Sequence, residues 1–140
     1  MNNVLPKAHW NPSVEATRPY ITAVVKALIA RDVKVTESWL DPFYPDPRDA
    51  TIRINESEAL VWNEEQGWYC GEFVCGEQGQ RTMLVDSAGL GGGVLPSAND
   101  VVDRFLNGVR TAVEVYRRLS DKDGFEGALR KAGEEALATN

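Results

Sequence analysis

Apolar residues recur at helical spacing early in the chain. Tyr20, Ile21, Val24, Val25, Leu28 and Ile29 fall on one stripe, with polar residues on the opposite side. Pro19 precedes this stripe, in the first helical turn, where a missing N–H costs nothing. Arg31 and Asp32 close the helix, and the period then changes. Val33 and Val35 alternate with Lys34 and Thr36, predicting a strand that runs on to Ser38 and Trp39. Residues 51–54, 59–62, 68–74 and 81–85 are further short runs rich in β-branched and aromatic side chains. Turn residues separate them at 55–58, 63–67 and 76–80, so the pattern predicts an antiparallel meander. Pro42, Pro45 and Pro47 cannot donate ladder hydrogen bonds, so residues 41–49 are expected to form a loop between the first two strands.

Helical periodicity returns after a glycine-rich connection. Val102, Phe105, Leu106, Val109, Ala112, Val113 and Tyr116 form a stripe about four turns long. Ser97 and Asp100 fit a capping box at its start, and Arg117 and Arg118 suit its C-terminal dipole. On such a helix Arg104 would pair with Asp100 and Arg110 with Glu114, at i,i+4, on a solvated face. Asp123 with Glu126 would cap a last helix over 123–138 bearing Phe125, Leu129 and Leu137. Gly124, Gly127 and Gly133 weaken it by up to about 1 kcal/mol each, so it needs the core or a partner to order it. The expected fold class is therefore α+β, a two-layer sandwich. A meander of four or five strands carries an N-terminal helix and a long C-terminal helix on one face, with a short terminal helix beyond. Residues 1–12 form an irregular arm, and residues 13–140 a single domain.

Composition narrows the chemistry. The 140 residues carry 15 Lys+Arg against 21 Asp+Glu, net −6, which argues against nucleic acid, whose phosphates demand a basic face. Residues 41–77 alone hold nine acidic groups against Arg48 and Arg53, a net of −7, so the rest of the chain is net +1. The charge is therefore one acidic, aromatic, proline-rich edge on an otherwise neutral body. No run of 18 apolar residues could span a membrane, and no apolar signal segment follows Met1, so the expected compartment is the cytoplasm. With one histidine, His9, and two cysteines, Cys70 and Cys75, no metal site or cofactor is expected. Five strand residues span about 16 Å and end on opposite faces, so the two cysteines should be free thiols rather than a disulfide.

Five local features bear on function. The run from Val85 to Gly89 is half a nucleophile elbow. Its first glycine is missing and His9 is the lone base, so Ser87 reads as a strand-end turn former rather than a catalytic group. Gly89, Gly91, Gly92 and Gly93 precede a helix start, yet Val94 replaces the third glycine of a dinucleotide fingerprint and no Gly-Lys-Ser/Thr follows. That stretch is a flexible loop, or else a lid over a pocket. Trp62 and Trp68 flank an acidic turn and either pack across strands or form a ligand platform. Phe43 and Tyr44 sit in the proline loop, where large aromatics must tuck inward or bind something. Asp41, Asp46 and Asp49 crowd the same loop without EF-hand spacing, and the plain reading is turn formation. The candidate ligand- or partner-binding residues are thus Phe43, Tyr44, Trp62, Trp68, Asp86, Ser87 and Gly91, with no catalytic residue.

Tyr20-Ile21-x-Ala23-Val24 with Ala27-Leu28, then Leu60-Val61-Trp62-x-Glu64-x-x-Gly67-Trp68, then Val94-Leu95-Pro96 with Val101 and Phe105 together resemble a family of small actinobacterial proteins of unknown function. The resemblance spans residues 18–115 and implies a bacterial cytoplasmic setting but no activity. The helix–meander–helix order is also similar to secretion-chaperone-like domains, which bind protein clients as dimers; fold alone does not carry function. The sequence therefore favours a non-enzymatic interaction or regulatory module with a protein partner, a homodimer included. The alternative is a small-molecule binder or enzyme with a pocket under residues 89–93, built from Trp62, Trp68, Asp86 and Ser87.

Overall fold

The computed structural model describes residues 4–41 and 47–138. Asn11 caps a single helical turn, α1 (Pro12–Glu15), by accepting from the Ser13 and Val14 amides. Helix α2 (Arg18–Ala30) follows, with its proline in the first turn as expected. Five strands then form one sheet in chain order: β1 (Val35–Asp41), β2 (Asp49–Ile54), β3 (Glu58–Asn63), β4 (Gly67–Glu77) and β5 (Gln80–Gly89). All neighbours are antiparallel, and the architecture is α+β with helices flanking an unclosed sheet. Helices α3 (Ala98–Leu106) and α4 (Phe125–Ala138) complete the chain.

Period-two alternation sorts the strands into two faces. Leu40, Ala50, Ile52, Ile54, Leu60, Trp62, Trp68 and Cys70 join the core with Tyr20, Ile21, Val24, Val25 and Leu28 of α2 and Val101, Val102 and Phe105 of α3. Both indoles have their polar handle satisfied inside it. Trp62 Nε1 donates to the Val94 carbonyl at 2.8 Å, and Trp68 Nε1 donates to the Tyr20 hydroxyl at 3.0 Å. That hydroxyl donates on to the Pro96 carbonyl, so the strand pair, α2 and the start of α3 are tied at one point. Burial raises the Tyr20 phenol above its ordinary value, which keeps it a donor.

The opposite face is covered by the sheet's own last hairpin. Thr51 on β2 and Thr82 on β5 are three strand spacings apart in sheet order, about 14 Å if the sheet were flat. Their hydroxyl oxygens lie 2.6 Å apart. The outer half of the β4–β5 hairpin therefore curls over the face opposite the helices. Gly71 permits the bend, because a Cβ there would sit 2.9 Å from the Val85 carbonyl oxygen. Register shifts at Cys70/Glu72, Phe73/Cys75 and Cys75/Glu77, with Asp86 at φ 54°, mark the bulges that produce the curl. Trp39 meets Phe73 edge to face at 6.2 Å beneath it, and Arg53 lies 4.1 Å over the same ring.

The long C-terminal helix is corrected. Helix α3 stops at Leu106, after nine residues. Gly108, at φ 75°, donates its amide to the Phe105 carbonyl at 3.2 Å, and Val109 donates to the Arg104 carbonyl at 3.0 Å. Those two bonds are a Schellman stop. Residues 109–118 run on as extended and irregular chain, bridged to the sheet at Gly89–Thr111. Arg110 consequently caps the Phe105 and Val109 carbonyls instead of pairing with Glu114 along a helix. The terminal helix is the longer one. It docks on α2, and Gly133 makes the approach possible, since a Cβ there would lie 2.8 Å from Pro19 Cβ.

Candidate functional site

The acidic hairpin turn between β3 and β4 holds the irregular segment in place. Arg48 Nε and Nη2 donate to the two Glu64 oxygens at 2.9 and 2.8 Å, a bidentate pair in which both residues are buried. Arg48 also reaches the Ser13 carbonyl at 2.9 Å and the more exposed Glu126 of α4. Arg117 donates to the Glu64 carbonyl at 3.1 Å and to Asp123 at 2.9 Å, and its guanidinium lies 4.0 Å over Phe125. Phe125 in turn stacks on Trp62 at 6.4 Å. The Glu65 carbonyl and carboxylate accept from the Tyr116, Arg117 and Leu119 amides. Arg117 is thus a half-buried clamp, not part of a solvated helical face.

The hairpin has a distinct underside and outside. Underneath, Asp41 and Asp49 are direct register partners on β1 and β2, and both are buried. Burial, and then the neighbouring Asp49, push the Asp41 carboxyl up to about 8. Burial, followed by the charge of Asp49, pushes the nearby Tyr69 phenol up to about 12. Arg81 on β5 lies 3.6 Å from the Asp49 carboxylate. On the outside, Val74, Met83 and Val85 are 50%, 57% and 43% exposed, and Cys75 is an exposed free thiol. Strand β5 ends the sheet, and among the described residues its outer side pairs only at Gly89.

The expected site residues are scattered. Trp62 and Trp68 are register partners in the core and offer no surface platform. Asp86 and Ser87 lie in the β5 bulge, exposed, so the strand continues past Val85 to Gly89. Gly91 is at φ 72° in the connection to α3, where Arg104 packs against it and Gly92. Phe43 and Tyr44, with Asp46, lie outside the described residues. Asp86 does line an open cleft of about 440 Å³ with Glu58, Glu72, Cys70 and Arg110. The Cys70 thiol there is raised by burial, and Cys70 and Cys75 are both free, one buried and one exposed. His9 accepts from the Asn11 amide at 3.0 Å, within the N-terminal turn. Among the described residues no group of three or more His, Cys, Asp or Glu side chains could hold a metal. No helix among them is long and apolar enough to cross a membrane.

Sequence reading missed both the hairpin edge and the Arg48–Glu64–Arg117 clamp. The clamp had a faint signal, since Arg48 is one of two bases in the acidic segment. The edge follows from the order of a meander, whose last strand has one unpaired side, but the curl depends on bulges around Asp86 and Gly76 that no residue pattern announces.

A helix–meander–helix chain with this curled sheet defines the class, an α+β domain closed on one face by its own hairpin. The model of a family of unknown function, DUF6292, matches residues 20–107, and the chain belongs to that family. The matched region runs from α2 to the end of α3 and so contains the whole sheet and its hairpin. No curated protein and no solved structure matches the chain.

Proposed function

We propose that the protein is a non-enzymatic interaction module that self-associates through the outer side of the β4–β5 hairpin. The observation that carries this reading is that, among the described residues, nothing pairs with the outer side of β5 over residues 82–87, which exposed Val74, Met83 and Val85 flank. An edge strand presents a row of backbone donors and acceptors that invites another chain. Antiparallel pairing makes such an edge complementary to itself about a two-fold axis, so a second copy needs no further surface. The same two-fold sets the exposed Met83 and Val85 side chains of the two copies side by side on one face, which covers part of their apolar surface. An exposed Cys75 thiol on this surface fits a reducing, cytoplasmic setting.

A pocket beneath the glycine loop is the weaker reading, since Arg104 packs against Gly91 and Gly92 and the two tryptophans are committed to the core. Light scattering on the eluted protein tests self-association. Wild type should give a dimer, twice the 15.5 kDa of one chain, and Met83→Glu should give the monomer with unchanged circular dichroism. Wild type that stays a monomer at 100 µM would overturn the reading.

A further inference from the structure

The underside of the hairpin carries a second feature, independent of what its edge binds. Asp41 is 1% exposed, and both its carboxyl oxygens lack a hydrogen-bond partner. Its cross-strand partner is another buried carboxyl, Asp49. Such a pair brings Cβ atoms within about 5.5 Å of each other, on the same face. The lid over them is the hairpin tip. The Gly79 amide and the Trp39 indole face the Asp41 carboxyl but stay outside hydrogen-bonding geometry. The Thr82 hydroxyl meets that of Thr51, and Arg81 lies beside Asp49.

Among the described residues two buried carboxyls share one guanidinium, a set best balanced when one carboxyl keeps its proton. We infer that the β4–β5 hairpin tip is a proton-linked clasp, shut over a protonated Asp41 and released when Asp41 ionises beside Asp49. Among the described residues the groups that face Asp41 are Asp49 from β2, Tyr69 from β4 and Arg81 from β5. Tyr69, its phenol pushed up to about 12 by burial, stays neutral through the physiological range, so Asp41 is the group that changes. The direction follows from linkage. Lifting the tip lets water reach Asp41 and returns its carboxyl toward the ordinary carboxylate range. The shut form, with Asp41 raised to about 8, binds the proton more tightly than the open form. Closure is therefore fully supported below the ordinary carboxylate range, weakens as pH rises through neutrality, and loses this support once pH passes about 8.

Amide hydrogen exchange reads the clasp directly, with each rate divided by its intrinsic rate at that pH. In wild type, protection over residues 74–83 should fall at least about tenfold between pH 5 and pH 8, since each pH unit in that window can weigh up to about tenfold. Protection in α2 should not change over the same range. In Asp41→Asn, whose amide cannot ionise, the tip should keep its protection at pH 8. The inference fails if wild-type protection is pH-independent, if Asp41→Asn shows the wild-type slope, or if α2 loses protection in parallel, which would be global unfolding. Carbon-detected NMR of the wild-type side-chain carboxyls covers the case in which Asp41→Asn does not fold. Asp41 should titrate well above the ordinary range, and a midpoint near about 4 would overturn the inference.

Discussion

Arg48 shows what a single residue does in this molecule. Its guanidinium satisfies both oxygens of buried Glu64 and reaches the Ser13 carbonyl and Glu126, so three other chain segments meet at one side chain. A buried ion pair adds little over a well-packed apolar pair, yet removing one partner leaves the other charge buried alone. Arg117 stays 3.8 Å from the Glu64 carboxylate, so Arg48→Ala should cost about 3 kcal/mol, the lower end for a broken buried pair, read from the urea midpoint at constant slope. A loss below about 1 kcal/mol would mean that Glu64 finds water or another partner. The sequence did present Arg48 as a rare base in an acidic stretch. What it could not present was the partner, since Glu64 lies sixteen residues on and Glu126 far beyond it. The two tryptophans were ambiguous for a related reason. A hairpin aromatic faces the core or the solvent according to strand register, and that register is set by the pairing of Trp62 with Trp68 over α2.

Among the elements, local chemistry decided what periodicity alone could not. The strand runs alternate and are bounded by turn residues, so the meander and its order were legible. The stripe from Val102 to Tyr116 is compatible with one helix, but the chain carries its own stop at Asn107-Gly108. Beyond it the β-branched Val109, Thr111, Val113 and Val115 favour extended backbone over helix. Intrinsic propensity alone underrates the last helix, because it treats the helix's glycines as defects. Gly133 is the position that admits Pro19, so the helix gains its docking surface from a residue that lowers its intrinsic propensity. Two glycine substitutions should then act with opposite sign. Gly108→Ala, at φ 75°, should destabilise by about 1 kcal/mol. Gly127→Ala, in α4 with nothing within 4 Å of the added Cβ, should stabilise by about 0.5–1 kcal/mol. Thermal unfolding of the two variants checks both, and equal signs would contradict the assigned helix ends.

At the scale of the whole molecule the sheet is closed on one face by helices and on the other by its own end. The curl keeps the Asp41 and Asp49 carboxyls dry, and the outer edge of β5 pairs with nothing among the described residues beyond the bridge at Gly89. No residue pattern announces this, because it depends on bulges at Asp86 and around Cys75 that displace the alternation by single residues. Asp41 and Asp49, two members of the acidic segment, thus lie under a covered face rather than on a solvated edge. If the exposed side of β5 is where a second copy docks, its backbone amides should gain protection as the chain is concentrated, and amides elsewhere should not. Hydrogen exchange at fixed pH, compared at 1 µM and 200 µM, makes that measurement directly. The account predicts slower exchange at 200 µM confined to residues 82–87 and the adjoining part of β4, and unchanged exchange in α2 and α4. Identical exchange of residues 82–87 at both concentrations, or protection that appears instead on the helical face, would contradict it.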